Sequence, residues 1–255
     1  MIRVAAAADV HFGLDSAGTL RPRLEHLPER ADLLLLAGDL TRCGEPSEAA
    51  VLAAELEGLP LPVVGVLGNH DYHADAADQV TGVLEAAGVT VLEGGTTVVE
   101  AGGARIGVAG TKGFGGGFVG ACGSEFGEPE MKAFMAHTRG LAERLTRCLD
   151  DLEGTDLRLA LLHYSPVEAT LVGERLEIYP FLGSYLLAEA VDTGGADLVL
   201  HGHAHRGTEH GVTPGGVPVR NVAQPVLRHA YHVYCFGNGD GLTACEDPAA
   251  VSVPA

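Results

Sequence analysis

Apolar residues fall along this chain in short unbroken runs, each closed by glycine or a polar residue, with helical periodicity between them. Ile2–Ala8 ends in Asp9-Val10-His11, Asp32–Ala37 runs into Gly38-Asp39-Leu40, and Leu61–Leu67 leads to Gly68-Asn69-His70-Asp71. Runs of this length without alternation predict strands buried on both faces, the texture of a parallel sheet. Helical signals lie between Arg21 and Glu29. Pro46–Gly58 sets Ala49, Leu52 and Leu56 on one face with Gly58 as a stop, and Ala74–Ala87 returns as another helix ended by Gly88. Three strand–helix units in succession predict right-handed crossovers.

Beyond Gly88 the texture changes. Val89–Leu92, Thr96–Glu100 and Arg105–Ala109 are short β-type runs separated by glycine turns, and they predict antiparallel strands added to the parallel core. Residues 113–127 form a glycine-rich loop, read as a mobile surface loop beside a site, with a backbone cradle for a phosphate as the alternative. A helix over Glu128–Leu152 precedes the strand Leu157–Leu162, which ends in His163-Tyr164-Ser165-Pro166. Residues 167–183 are irregular, Ser184–Thr193 reads as a helix, and the buried strand Asp197–His201 opens into Gly202-His203-Ala204-His205. Val217–Val222 and His232–Phe236 are further strands, and Gly237–Gly241 turns a terminal hairpin that returns over Leu242–Cys245.

Composition narrows the class. The 255 residues suffice for a substantial core, and mean hydropathy is positive. No apolar stretch is long enough to cross a bilayer, and the N-terminal run lacks the parts of a secretory signal, so a cytoplasmic protein with no membrane partner is expected. The net charge of -18, with no Lys/Arg cluster, argues against a nucleic-acid polymer as partner. Five scattered cysteines without CxxC spacing predict buried free thiols rather than a disulfide framework.

The five polar blocks then carry the chemistry. Each sits just after an apolar run, so all converge on the edge where open α/β sheets bind ligands. Asp9 with His11, and His203 with His205, have i, i+2 spacing, which puts both side chains on one side of an extended segment. Carboxylate, amide oxygen and imidazole together suit borderline divalent or trivalent metals, and seven or eight donors suit two ions sharing Asp39. His26, His137, His210, His229 and His232 read as surface or strand residues, and His201 as a hydrogen-bonded core histidine.

This arrangement resembles the calcineurin-like metallophosphoesterase family, whose pattern D-x-H, G-D, G-N-H-D/E, H, G-H-x-H is matched in order over residues 9–205. The resemblance implies a single metallophosphoesterase domain over 1–255, an α/β four-layer αββα sandwich with two mixed β-sheets face to face and helices outside. It implies two metal ions (manganese, iron or zinc), one on Asp9, His11 and His205, the other on Asn69, His163 and His203, bridged by Asp39. His70 is left as a catalytic group near the leaving oxygen, with a metal-bridging hydroxide as nucleophile. Asp71 either orients His70 or points away as a turn former. Gly38-Asp39-Leu40-Thr41 is similar to the bacterial cyclic-nucleotide and small-phosphodiester branch and lacks the second Asp of the protein Ser/Thr phosphatases. A phosphodiesterase acting on a small phosphoester is therefore expected, with a phosphomonoesterase or a protein-interaction scaffold as alternatives. His73, Tyr164 and Arg206 are candidate substrate contacts. The oligomeric state has no signal in the sequence.

Overall fold

The apolar runs become strands in a computed structural model, which describes residues 1–237 and the strand 242–244. The first half builds β1 (Ile2–Ala7), α1 (Arg21–Leu24), α2 (Leu27–Arg30), β2 (Leu33–Ala37), α3 (Pro46–Leu56), β3 (Val63–Val66), α4 (Ala77–Ala86) and β4 (Val89–Val91). There follow β5 (Gly95–Ala101), β6 (Ala104–Thr111), β7 (Gly117–Phe118), β8 (Ala121–Cys122), α5 (Pro129–Asp150), β9 (Leu157–Leu162), α6 (Tyr179–Leu182), α7 (Tyr185–Gly194) and β10 (Leu198–His201). The chain closes with β11 (His210–Val212), β12 (Pro218–Asn221), α8 (Gln224–Leu227), β13 (His232–Phe236) and β14 (Leu242–Ala244).

Two six-stranded sheets result, ordered β14-β13-β1-β2-β3-β4 and β11-β12-β10-β9-β6-β5. Both are mixed. In the first, β1 to β4 run parallel and β13 is antiparallel to β1; in the second, β6, β9, β10 and β12 run parallel, with β5 and β11 antiparallel at the edges. The period of two along each strand separates the layers. Leu33, Leu35, Val64 and Val66 face inward against Ile106, Val108, Leu159, Leu161 and Leu200, forming the core between the sheets. Leu34 and Leu36 point the other way, onto Leu52, Leu56 and Leu84 of α3 and α4. On the far side, Ala160, Leu162 and Val199 meet Leu145, Leu149, Leu187 and Val191 of α5 and α7. The protein is thus an αββα sandwich, with helices outside two face-to-face sheets.

Several expectations are corrected. β4 is not an antiparallel addition: Val63 to Gly65 pair with Val89 to Val91 in parallel, because α4 is a complete crossover between the two strands. The helical signals at 21–29 resolve into two single turns, each started by a proline. The glycine-rich loop is neither a free surface loop nor an open cradle. Gly116 and Gly117 donate their amides to the carbonyls of Pro180 and Gly183, and Gly123 donates back to Gly116, so these N–H groups are spent within the fold. β11 and α8 have no counterpart in the sequence pattern, because three- and four-residue elements carry too little periodicity to read. β14 pairs antiparallel with β13 as expected, while the turn at 238–241 lies outside the described residues. Cys148 is buried, but Cys43 and Cys122 are exposed, and Cys235 is disulfide-bonded, so buried free thiols are not the general rule. Among the described residues no helix is long and apolar enough to cross a membrane.

Candidate metal centre

β1, β2 and β3 end at one edge of the first sheet and β9 and β10 at the adjoining edge of the second, so both sheets deliver their polar blocks to one place. The backbone there is strained. Asp9, His11, Asp39 and His203 all have positive φ, at 58°, 44°, 50° and 70°, in the left-handed region that non-glycine residues rarely enter. The i, i+2 pairs therefore do not converge through the pleat of an extended segment, as the spacing suggested. Left-handed turns aim them instead. Crowding explains two glycines: a Cβ on Gly68 would fall on Oδ1 of Asp39, and one on Gly202 on Oδ2 of Asp9.

Two donor groups form and share Asp39. Asp9, His11, Asp39 and His205 hold ligand atoms all within 4.8 Å of one another, and Asp39, His163 and His203 do the same. In the first group, Nε2 of His205 lies 2.8 Å from Oδ1 of Asp9 and 3.5 Å from Nε2 of His11, which is 3.8 Å from Oδ2 of Asp39. In the second, Nε2 of His163 lies 3.3 Å from Oδ1 of Asp39 and 3.0 Å from the amide oxygen of Asn69. Asp9 and Asp39 are 3% and 1% exposed, so two carboxylates are held out of water among imidazoles, where charge must be compensated.

Three imidazoles each tie one ring nitrogen to a backbone carbonyl, which selects the tautomer. Nδ1 of His163 donates to Ala37 at 2.9 Å, Nε2 of His203 to Phe181 at 3.3 Å, and Nδ1 of His70 to Arg42 at 2.8 Å. The opposite nitrogens of His163 and His203 are thereby left facing the donor cluster, the arrangement found around metal-binding histidines, while that of His70 faces the open side. Protonation follows the same geometry. Burial alone would lower His163, but the Asp39 carboxylate beside it outweighs burial and pulls it up to about 9. Burial raises Asp39, yet His163 and the His70 amide more than reverse this and hold it well below the usual carboxylate range. Burial takes His203 down to about 3.

His70 stands at the open side. Its amide donates to Oδ1 of Asp39 at 2.8 Å, and its Nε2 lies 3.9 Å from Oδ2 of the same carboxylate, with the side chain 44% exposed. Asp71 points the other way and is fully buried. It accepts the amides of Leu40, Thr41 and Gly68 at 3.1, 2.7 and 2.8 Å and the Thr41 hydroxyl at 2.5 Å. That carboxylate clamps the loop after β2 to the loop after β3, and Arg42, not Asp71, orients the His70 ring.

Of the expected substrate contacts, Tyr164 is buried with its ring 4.3 Å from that of His203. His73 and Arg206 are exposed; the Arg206 amide donates to Glu174. His201 is a core residue between the Thr170 hydroxyl and the Gly202 carbonyl, pushed down to about 4 by burial. The sequence reading missed Lys112, whose ammonium packs against Tyr72, Phe114 and Tyr164. Its signal was available: a lone lysine directly after an apolar strand, at the start of the glycine-rich segment.

Fold and donor cluster together define a class, two-sheet α/β sandwiches with a potential metal centre where the strand ends meet. The chain belongs to the calcineurin-like phosphoesterase family, whose sequence profile matches residues 2–207. Solved structures agree on the fold. A phosphopantetheinyl hydrolase from Mycobacterium tuberculosis superimposes with a TM-score of 0.59 at 15% identity over 86% of this chain and 88% of that one. The protein TT1561 of Thermus thermophilus gives 0.56 at 21% identity over 86% and 88%. A putative 5'-nucleotidase from Staphylococcus aureus gives 0.57 at 16% identity over 95% of this chain and 52% of that one. No protein of curated function matches by sequence. Family and geometry together support metal-dependent phosphoester hydrolysis.

Proposed function

We propose that this protein is a dinuclear metal-dependent phosphodiesterase acting on a small phosphoester. The observation that carries the reading is the pair of donor groups sharing one buried carboxylate, Asp39. The donor set of imidazole, carboxylate and one amide oxygen fits manganese, iron or zinc better than calcium or magnesium. Asp9, His11 and His205 would hold one ion, Asn69, His163 and His203 the other, with Asp39 between them. When bound, two such ions would supply an activated water and neutralise phosphoryl oxygens.

The chain's own groups do the rest. His70, its Nδ1–H held by the Arg42 carbonyl, presents Nε2 above Asp39 and, as the imidazolium, donates its Nε2 proton to the leaving alkoxide, a role worth roughly 10²- to 10⁴-fold. Asp71 keeps His70 and Asp39 in register through the two loops it joins. A diester is favoured over a monoester on two grounds: the Gly38-Asp39-Leu40-Thr41 block, and the net charge of -18, which repels a dianion more than a monoanion.

The test is hydrolysis of a model diester and a model monoester by protein reconstituted with manganese, iron, zinc or cobalt. Asp39→Asn is expected to lose bound metal, whereas His70→Ala keeps it and loses about 10²- to 10⁴-fold in turnover. Faster monoester turnover would replace the diesterase reading by its monoesterase alternative. Turnover of neither ester with any of the metals would sink the enzyme reading in favour of a scaffold.

A further inference from the structure

Lys112 follows β6 directly, and its carbonyl accepts the amides of both His163 and Tyr164 at 3.0 Å, which ties it to the strand end that delivers His163. Its ammonium lies 4.8, 4.9 and 5.5 Å from the ring centroids of Tyr72, Phe114 and Tyr164. Two of these rings border the metal centre: Tyr72 closes the turn that begins at His70, and Tyr164 packs on His203. Among the described residues the ammonium makes no hydrogen bond and no ion pair. Glu93, the neighbouring carboxylate, is already engaged by the Tyr72 hydroxyl at 2.7 Å and the Leu67 amide at 3.1 Å. Burial pushes the Lys112 ammonium down, against the pull of Glu93 and Asp39, so the group lies within the field of the donor cluster.

Aromatic faces attract a cation but accept none of its hydrogen bonds in the manner of an oxyanion. A partly desolvated ammonium with its hydrogen-bonding capacity unused, one ring away from a metal ligand, is poised for an anionic oxygen. We propose that Lys112 is an anion-binding residue of the substrate pocket, its ammonium taking an anionic oxygen of the phosphoester on the side of Asn69, His163 and His203. This inference rests on the phosphoesterase reading. The oxygen belongs either to the reacting phosphoryl group or to a second anionic group on the same molecule, and the experiment separates the two.

Metal-loaded wild type and Lys112→Gln are titrated with inorganic phosphate by calorimetry. Both are then assayed on two diesters that differ only in a carboxylate on one alcohol. A ten- to hundredfold loss of phosphate affinity, at unchanged metal content and Tm, supports contact with the reacting phosphoryl group. Unchanged phosphate affinity with a comparable rise in KM for the carboxylate-bearing diester alone supports the second group. If wild type cleaves esters and the variant matches it on both counts, the Lys112 role is overturned and the phosphoesterase reading stands. A wild type that neither binds phosphate nor cleaves an ester takes both down. Should Lys112→Gln melt early, amine acetylation of metal-loaded wild type read by mass spectrometry decides: protection of Lys112 by phosphate supports the reacting phosphoryl group, protection by the carboxylate-bearing diester alone supports the second group, and equal labelling with and without both overturns the proposal.

Discussion

Asp71 shows how far apart two adjacent residues can act. His70 turns its ring toward the open face of the donor cluster, while the Asp71 carboxylate is sealed beneath it with four donors from Leu40, Thr41 and Gly68. Asp71→Ala leaves those buried donors unsatisfied, each at about 1–3 kcal/mol before relaxation. The variant is expected to lose about 3 kcal/mol of stability in urea unfolding and to bind metal more weakly. Unaltered stability would mean that the clamp carries little. The candidate donors are legible because each follows an apolar run and none needs a long-range partner to be noticed. Asp71 is not, since the next position along the chain carries no information about direction once the backbone enters a 3-10 turn. The surround of Lys112 is silent in the sequence for a related reason: Tyr72 lies far upstream of the lysine and Tyr164 far downstream, and only folding brings them together around the ammonium.

Among the elements, long buried strands and crossover helices were read to within a few residues, because their apolar runs and glycine stops are local signals. Orientation was harder. β4 looked like the hairpin strands that follow it, and only the intervening helix made it parallel. The glycine-rich segment illustrates the same limit: its composition promised freedom, but β7, β8 and the Pro180–Gly183 backbone take up its amides. α7 begins immediately after that contact, with Ser184 as N-cap accepting the Leu186 amide at 3.3 Å. Ser184→Ala is expected to cost about 1 kcal/mol in urea unfolding, with metal content unchanged, because α7 packs on the outer face of the second sheet, away from the donors. Loss of metal in that variant would show that the 180–184 segment supports the centre more directly, through the Phe181 carbonyl on His203.

At the scale of the whole molecule, the centre is also a junction. Asp39 comes from the end of β2 in one sheet and His163 from the end of β9 in the other, so their contact spans the two layers just beyond the core of Leu35, Val66 and Leu161. In the metal-free protein, His163 is raised from an ordinary 6.5 to about 9. A group raised on folding contributes stability that is fully present below the unfolded value and is lost as pH rises through the folded one. The metal-free protein is therefore expected to lose stability between pH 6.5 and about 9, as read by urea midpoints. Metal loading should flatten that dependence, because a cation takes the place of the proton. A flat profile without metal would contradict the cross-sheet pairing.

Buried strands joined by crossover helices, and five strand ends carrying donors of metal-binding type, can be read from local sequence. Those features are written in local apolar runs and in residue types that recur after them. Which sheet each strand joins, and how left-handed backbone at Asp9, His11, Asp39 and His203 draws the donors into two groups, follow from the folded chain alone. Folding also separates His70 from Asp71 and sets Lys112 within an aromatic surround. Such outcomes depend on packing between segments far apart in the chain, where burial and the need to satisfy each polar group override local preference.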